Sequence, residues 1–381
     1  MPTRVGPNTY GEENLVFGYD LGDTINSYKG EPTSNVVNDP RPTSAWGISN
    51  YLSTSTRSYG TDENGDPILI INVTSAGSGY PRSTGPYLLS TITGTFSTSF
   101  EAKSNINGTN IALNIYENGS TKTSNNANLT TKWQRFTFDN QSTGYTLDRP
   151  YLQPQDNAVY YVRKIQIEAK SHSTPFVDGT RSNTQGLLDL TGNASISLSN
   201  VSFDSNGQMT FDGTDDIINI PAASWNILTT HTLEAVFKAN GTAFSGYHVM
   251  FQKEGGYSGG AVYGLRANNA GGSLLAMICY DAQAANAKTL DSTTTVTNGQ
   301  YYHVVATFDS GYNWKIYING VLENETTLTS NPYQNSSSIF IGRGDSRTMN
   351  GDLPIAKIYN RALTASEIKS NFNAIKGRFN I

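Results

Sequence analysis

Alternation of apolar and polar positions predicts a β-strand near the start of the chain. In residues 12–23, EENLVFGYDLGD, one face of the strand carries the larger apolar side chains. These are Leu15, Phe17, Tyr19 and Leu21. Residues 24–44 then form a turn-rich stretch without a complementary strand. Because a lone strand cannot satisfy its backbone hydrogen bonds, this strand needs a partner from elsewhere in the chain.

Two longer series of short alternating strands follow. The first runs from about residue 87 to 180, and the second from about residue 183 to 381. The clearest hairpin is NWKIYINGVLEN, residues 313–324, where Asn319-Gly320 is a strong type I′ turn signal. Strands at this spacing without intervening helices predict antiparallel sandwiches.

One helix is predicted near the C-terminus, in residues 363–375. Thr364 and Glu367 have the spacing of a capping box. The apolar stripe behind the cap consists of Ile368, Phe372 and Ile375. The predicted fold class is therefore all-β, with two antiparallel β-sandwich domains and one short C-terminal helix; the resemblance described below implies that both sandwiches are jelly rolls.

Composition narrows the classes of partner. The net charge is −5 and only 15% of residues are charged, which gives no reason to expect nucleic acid. No apolar run approaches the roughly 20 residues of a membrane span, and no secretory signal is visible, so we expect no membrane insertion. The single cysteine, Cys279, excludes an intrachain disulfide and favours synthesis in a reducing compartment.

Three motifs in the last 200 residues resemble laminin-G-like, concanavalin A-like jelly rolls. They are LTGNASISLSNVSFDSNGQMTFDGTDDIINIP, YYHVVATFDSGYNWKIYINGVLE and GDLPIAKIYNRALTASEI, and they stand in the order of that family. The stretches LTTKWQRFTF and YYVRKIQIEAKSHSTPFVDGTRS resemble carbohydrate-binding-module-like jelly rolls. Together, the two resemble structural proteins of tailed bacteriophages. The resemblance specifies fold more than function.

The same resemblance explains the lone strand. In similar proteins a segment like LVFGYDLGD runs almost directly into one like LLDLTGN, but here the whole first series separates them. The domains implied are a short N-terminal arm (1–12), the first strand of the laminin-G-like domain (13–30), an inserted carbohydrate-binding-module-like sandwich (31–180) and the remaining jelly roll (181–381). Loop closure costs rise only logarithmically with length, so such an insertion is physically permitted.

Loop aromatics are the candidates for sugar binding, because sugar C–H faces pack on aromatic rings. Those predicted to be exposed are Trp46, Tyr51, Tyr59, Tyr80, Tyr247 and Tyr257. The same rings could instead form a subunit interface. Trp133 and Trp314 lie in alternating strands and are assigned to the core.

Calcium is the one cofactor that the resemblance implies, and the protein is not expected to require any. The candidate ligands are Asp212, Asp215 and Asp216 in FDGTDD. The alternative, which the pattern favours, is that Asp212 and Asp215 cap a tight turn at Gly213.

Catalysis is not expected. Glycosidases on this type of sandwich carry two carboxylates alternating on one strand, as in E-x-D-x-E, at about 5–5.5 Å from each other. No such triplet occurs, and IQIEAK offers Glu168 alone. The four histidines do not have a metal-ligand spacing.

Three functions follow from the resemblance. The first is a phage virion appendage protein, a fibre or spike subunit, that binds host-surface glycans and assembles as a homo-oligomer such as a trimer. The second is a capsid decoration or cement protein that contacts only other virion proteins. The third, least favoured, is a glycoside hydrolase. Either virion role places the protein in the particle, assembled in the bacterial cytoplasm.

Overall fold

The computed structural model describes residues 12–47, 54–75, 81–117, 120–204, 207–221, 223, 228–240, 248–254, 261–267, 272–279, 287–344 and 347–381. Among these, no helix has the length and apolar character needed to cross a membrane. The chain divides into two compact units. The C-terminal unit contains residues 12–31, 183–204 and 208–381, and the middle unit contains residues 32–182 and 207.

A single-turn 3-10 helix, Glu12–Asn14, precedes strand β1 (Leu15–Asp20). The middle unit then supplies β2 (Thr33–Ser34), β3 (Thr54–Thr61), β4 (Pro67–Ser75), β5 (Ser83–Thr84), β6 (Gly94–Ser104), β7 (Thr109–Glu117), β8 (Ser120–Leu129), β9 (Gln134–Thr143), β10 (Leu147–Pro154), β11 (Val159–Glu168) and β12 (Thr180–Arg181).

The rest of the C-terminal unit supplies β13 (Ser202–Phe203), β14 (Met209–Asp212), β15 (Ile218–Ile220), β16 (His231–Ala239), β17 (His248–Glu254), β18 (Ala261–Ala267), β19 (Ser273–Cys279), β20 (Ala287–Thr295), β21 (Tyr301–Phe308), β22 (Asn313–Ile318), β23 (Val321–Thr327), β24 (Ile339–Ile341), β25 (Arg343–Gly344), β26 (Arg347–Thr348), β27 (Asn350–Tyr359) and helix α1 (Ala365–Phe379). The predicted all-β class with antiparallel sheets and one C-terminal helix is confirmed.

The C-terminal unit is built on two antiparallel sheets. One has the order β13-β14-β27-β16-β21-β22-β23, with β1 also paired to β27, and the other has the order β15-β24-β17-β18-β19-β20. β25 and β26 form a separate two-stranded ribbon. Trp314 is 1% exposed in the core between the sheets, so its predicted core position is confirmed.

The opening strand lies between partners from the far end of the chain. Phe17 is opposite Ile358 in β27, and Tyr19 is opposite Ala356. On its other edge, the backbone N–H of Gly18 donates to the carboxylate of Asp189 at 2.9 Å. Phe17 and Tyr19 are both fully buried. The backbone of β1 is therefore hydrogen-bonded to residues beyond 183. Its apolar side chains are buried in the core of the C-terminal unit.

Helix α1 covers the outer face of the eight-stranded sheet. The capping box of Thr364 and Glu367 is present, and Ile368, Phe372 and Ile375 are buried as predicted. Ile368 packs against Tyr359, and Ile375 packs against Val236 and Ile355.

Beneath the helix lies one buried carboxylate, that of Glu234 in β16. It contacts His303 Nε2 at 2.8 Å, and accepts hydrogen bonds from the Tyr359 hydroxyl at 2.7 Å and the Asn371 amide at 3.3 Å. Burial alone would raise the pKa of Glu234, but His303, Lys357 and Tyr359 lower it to about 2. The charged carboxylate therefore joins three strands and the helix.

The middle unit is a sandwich of a five-stranded sheet, β3-β4-β11-β6-β9, and a four-stranded sheet, β5-β10-β7-β8. Its core combines Phe100 and Val162 of the first sheet with Leu113 and Leu152 of the second. A short ribbon of β2 and β12 joins the two ends of the unit. Strand alternation leaves each sheet of this unit with an outer face.

Gly351 in β27 allows a close backbone approach. Its φ is +151°, it is paired with Ala239, and a Cβ atom there would clash with the backbone carbonyl of Lys238. We expect Gly351→Ala to cost at least about 1–3 kcal/mol, as for other overpacking changes. Gly377→Ala is the matched control, because Gly377 lies in α1 with open space around its Cα. It should stabilise by about 0.5–1 kcal/mol. Denaturant unfolding of both variants measures this, and equal effects would contradict it.

The stability of the C-terminal unit should fall with acidification. His231 is 2% exposed and stacks against Tyr263 and Phe308, with ring centroids 4.9 and 5.8 Å away. Burial, and secondarily the charge of Lys253, lowers its pKa from 6.5 to about 3. The unfolded chain therefore binds this proton first, and stability present above pH 6.5 is lost as pH falls. The loss is about 1.4 kcal/mol per pH unit until the folded pKa is reached. Protonation of Glu234 adds to it below about pH 4.

The variant His231→Phe isolates this contribution. His231 Nδ1 has no hydrogen-bond partner among the described residues, so a phenyl ring should match or exceed wild-type stability at pH 7. The melting temperature of the variant should depend less on pH between 7 and 4.5. Identical pH profiles for variant and wild type would exclude His231 as the source.

Candidate functional site

An open cleft of about 380 Å³ lies on the outer face of the five-stranded sheet of the middle unit. Its lining residues are Thr61, Asp62, Glu63, Ile68, Lys103, Ser104, Asn105, Thr131, Trp133 and Tyr161. Two aromatic rings, one cation and several hydroxyl, amide and carboxylate groups therefore share one depression. We call it the Trp133–Tyr161 cleft.

Strand alternation and register place these side chains together. In β11, Tyr160 and Val162 point into the core, so Tyr161 between them points outward. Tyr161 is paired with Lys103 of β6 on one side and with Ile70 of β4 on the other. Trp133 directly precedes β9, which flanks β6 at the edge of the sheet.

Two cations lie close to the indole ring. The guanidinium carbon of Arg163 is 4.1 Å from the centroid of the Trp133 ring. The ammonium of Lys103 is 5.0 Å from that centroid and 5.6 Å from the Tyr161 centroid. The Trp133 Nε1–H has no acceptor among the described residues. The rings are thus held by cations, while one indole donor is left unused.

The β3–β4 hairpin supplies the acidic rim. Its turn is closed by Asp62, whose carboxylate accepts from the backbone N–H groups of Asn64 and Asp66, both at 2.8 Å. Asp62 also forms an ion pair with Arg163, and Glu63 lies 3.9 Å from the Lys103 ammonium. The acidic groups of the rim therefore have cationic partners within the site.

Beside the cleft, a charge network fixes Arg163. Its Nε donates to Glu101 at 2.7 Å, and Lys164 lies 2.9 Å from Asp66. Lys164 has a φ of +52° at a break in the β11–β6 register, and such bulges re-aim neighbouring side chains. Burial alone would raise the pKa of Asp66, but Lys164 and Arg41 lower it. Burial lowers the pKa of the Arg163 guanidinium.

The structure corrects one predicted sugar-binding aromatic. Trp46 is 0% exposed, and its Nε1–H donates to the carbonyl of Asp39 at 3.2 Å, so its predicted exposure is wrong. The apolar indole is part of the core of the middle unit, where it excludes water. Gly85 packs against it so closely that a Cβ would lie 3.0 Å from the indole.

Tyr59 is half-buried, and its hydroxyl is engaged with both backbone groups of Trp46 at 2.9 and 3.0 Å. It therefore positions a loop. Four further predicted aromatics lie outside the described residues: Tyr51, Tyr80, Tyr247 and Tyr257.

Sequence reasoning assigned Trp133 to the core, and that assignment is wrong, since its ring is only partly buried and lines the cleft. The signal was available in the alternation of β9. Phe136 and Phe138 pack against the core, so Trp133 has the opposite parity. Tyr161, between two core positions, carried the same signal.

The predicted calcium ligands lie together in the C-terminal unit. Ligand oxygens of Asp212, Asp215 and Asp216 all lie within 4.8 Å of one another. Asp216 accepts from the backbone N–H of Asp212 at 2.7 Å, and Asp212 accepts from that of Thr214 at 2.7 Å, so the predicted turn capping by Asp212 is also present. Burial and the charges of Asp212 and Asp215 raise the pKa of Asp216.

Comparison with known proteins identifies one domain. Residues 212–369 match a laminin-G-type family model described as concanavalin A-like lectin/glucanases superfamily. No curated protein matches the sequence.

Several botulinum neurotoxin binding domains are among the similar solved structures. The serotype D binding domain has a TM-score of 0.41 at 14% identity, covering 51% of this chain and 49% of that one. The type G receptor-binding domain has a TM-score of 0.38 at 17% identity, covering 50% and 49%. The serotype D ligand-binding domain in complex with N-acetylneuraminic acid has a TM-score of 0.39 at 17% identity, covering 51% and 49%. This chain thus spans about half the length of each, and similarity at this level assigns no function.

The domain match at residues 212–369 agrees with the two packed antiparallel sheets of the C-terminal unit, which therefore contains a laminin-G-like, concanavalin A-like jelly-roll domain.

Proposed function

We propose that this protein binds glycans through the Trp133–Tyr161 cleft of its middle unit. The observation that carries the proposal is the pairing of two ring systems in one open depression rimmed by hydrogen-bonding groups. Sugars present C–H faces that pack on aromatic rings, and hydroxyls that need polar partners. Lys103 and Asn105 supply donors beside the rings, and Glu63 supplies an acceptor.

We further propose a virion role, namely a phage appendage protein, a fibre or spike subunit that is homo-oligomeric and exposes this cleft to the host surface. Its support is the sequence resemblance to tailed-phage structural proteins. The alternative of a capsid decoration protein predicts no glycan binding, so one binding experiment separates the two roles.

Binding without catalysis fits the acids of the cleft. A retaining glycosidase needs two carboxyl groups about 5–5.5 Å apart, one protonated and one free to attack. Asp62 is ion-paired with Arg163 and its side chain is 1% exposed, so it is poorly placed to attack a sugar carbon or to donate a proton. We therefore propose that the protein is not an enzyme.

A glycan array tests the cleft. Trp133→Ala and Tyr161→Ala should each weaken binding of the glycan that wild type selects by about tenfold or more, the equivalent of about 1.4 kcal/mol of lost stacking. Tyr145→Ala is the matched control, because Tyr145 is 65% exposed in the same unit and does not line the cleft. It should bind as wild type does. An array without any selected glycan, or equal loss in all three variants, would reject the proposal.

Calcium at the Asp212–Asp215–Asp216 cluster is a second, separate proposal. Oxygen ligands suit calcium, and no lysine or arginine nitrogen of the described chain lies within 4.0 Å of these carboxylates. If calcium binds the folded state, 1 mM calcium raises the melting temperature relative to a chelator, on the order of a few degrees. Asp216→Asn should abolish that rise. Identical melting temperatures of wild type with calcium and with chelator would contradict calcium binding at this cluster.

A further inference from the structure

The outer face of the four-stranded sheet of the middle unit carries an alternating ladder of tyrosine and arginine side chains. Arg149 lies between Tyr87 and Tyr116, 4.9 and 5.6 Å from their ring centroids. Tyr116 packs against Tyr151 at 4.6 Å. Arg82 lies 5.2 Å over the Tyr151 ring and donates to the Tyr116 hydroxyl at 3.0 Å. We call these five side chains the Tyr–Arg ladder.

The strand pattern builds the ladder on the side of the sandwich opposite the Trp133–Tyr161 cleft. In β7 and β10, Ile115 and Leu152 point into the core, so the adjacent Tyr116 and Tyr151 point outward. The ladder therefore belongs to a different sheet from the cleft and shares no residue with it.

The ladder holds two positive charges without neutralising them. No carboxylate oxygen of the described residues lies within 4.0 Å of the Arg82 or Arg149 guanidinium. Glu117, the nearby acid of β7, instead accepts from the backbone N–H of Tyr145 at 3.0 Å. The Nε–H of Arg149 is buried and has no acceptor among the described residues. Arg82 is exposed, Tyr87 is 61% exposed and Arg149 is half-buried, whereas the Tyr151 ring is 1% exposed. The accessible parts of the ladder are therefore the Arg82 guanidinium, part of Arg149 and the Tyr87 ring.

We propose that this ladder binds the acidic sugar residues of a carboxylated or sulfated polysaccharide. A guanidinium presents paired N–H donors in a fork that matches a carboxylate or sulfate group, and its charge strengthens those hydrogen bonds. The exposed Tyr87 ring beside Arg149 offers a face to the C–H groups of the same sugar. Acidic sugars supply both parts, whereas an acidic peptide supplies only the anion.

The net charge of the protein does not account for attraction of an acidic polysaccharide to this site. Residues 32–182 contain twelve lysines and arginines and eleven aspartates and glutamates, so the unit is nearly neutral, and the whole chain carries −5. Recognition therefore depends on the local pair of guanidiniums. The inference stands independently of the cleft, because each surface can be removed without touching the other.

The experiment measures binding of the full chain to heparin and polygalacturonate, with dextran as the neutral polymer. Wild type should bind at least one acidic polymer and not dextran, and the affinity should fall as salt is raised. Arg82→Gln/Arg149→Gln should weaken binding by about tenfold or more. Arg82→Lys/Arg149→Lys keeps the charge without the fork, and should fall between the two. Melting temperatures identify any variant that fails to fold. If the Gln double variant fails to fold, the Lys double variant tests the inference instead, and unchanged binding by it would contradict a role for the guanidinium fork.

Arg57→Gln is the matched control, because Arg57 also stacks on one tyrosine, Tyr59 at 5.5 Å, but lies in β3 of the other sheet. It should bind as wild type does, and so should Trp133→Ala. Failure to bind either acidic polymer overturns the inference. So does equal weakening by Arg57→Gln, and so does binding of polyglutamate as tight as that of the polysaccharide. Loss of neutral-glycan binding in Trp133→Ala with retained acidic-polymer binding would show that the two surfaces act separately.

Discussion

The pairing of β1 with β27 is the constraint on which the architecture depends. A strand near residue 17 is held opposite residue 358, and Asp189 receives the N–H on its other edge. The chain must therefore leave and re-enter the C-terminal unit at neighbouring points. The structure shows this: Lys29 donates its backbone N–H to Gly186 at 2.8 Å, and Tyr28 bridges Leu187. In the middle unit, Thr33 and Arg181 are also paired. With its ends this close, a 150-residue insertion adds little closure entropy.

Much of the fold could be predicted from the sequence, because it depends on local periodicity and on one motif whose two parts are separated along the chain. The capping box at Thr364 and the alternation around Trp314 depend only on neighbouring residues, and both are present. The burial of side chains that lie in loops does not follow from such local patterns. Trp46 lies in no strand, so no period marked it as core, and its tight contact with Gly85 comes from a segment forty residues away. Composition suggested aromatic candidates for sugar binding, but it could not say which rings face solvent.

The cleft was missed for a related reason. Its parts come from β6, from β11, from the β3–β4 turn and from the residue before β9, and only sheet order brings them together. The alternation of β9 already gives Trp133 the parity opposite to that of Phe136 and Phe138, but it does not say which side chains lie beside Trp133. Register agrees with that parity, because Gln134 is opposite Ala102, a core residue, and it adds the neighbouring strands. Cross-strand register is thus the information that one sequence lacks.

The two units differ in what covers their outer sheet faces, and this difference supports the proposed recognition role of the middle unit. In the C-terminal unit, α1 covers one outer face, and Glu234 beneath it is saturated by His303, Tyr359 and Asn371. Those donors stabilise a charge and are not accessible to a ligand. In the middle unit, no helix is described, and both outer faces carry aromatic rings in contact with cations. In the cleft, Arg163 is ion-paired with Asp62 and Glu101 and holds the Trp133 ring in place. Arg82 and Arg149 of the ladder have no carboxylate partner among the described residues, so they keep most of their donors for a ligand. Rings of this kind are preorganised for ligands that combine apolar faces with polar groups, as sugars do.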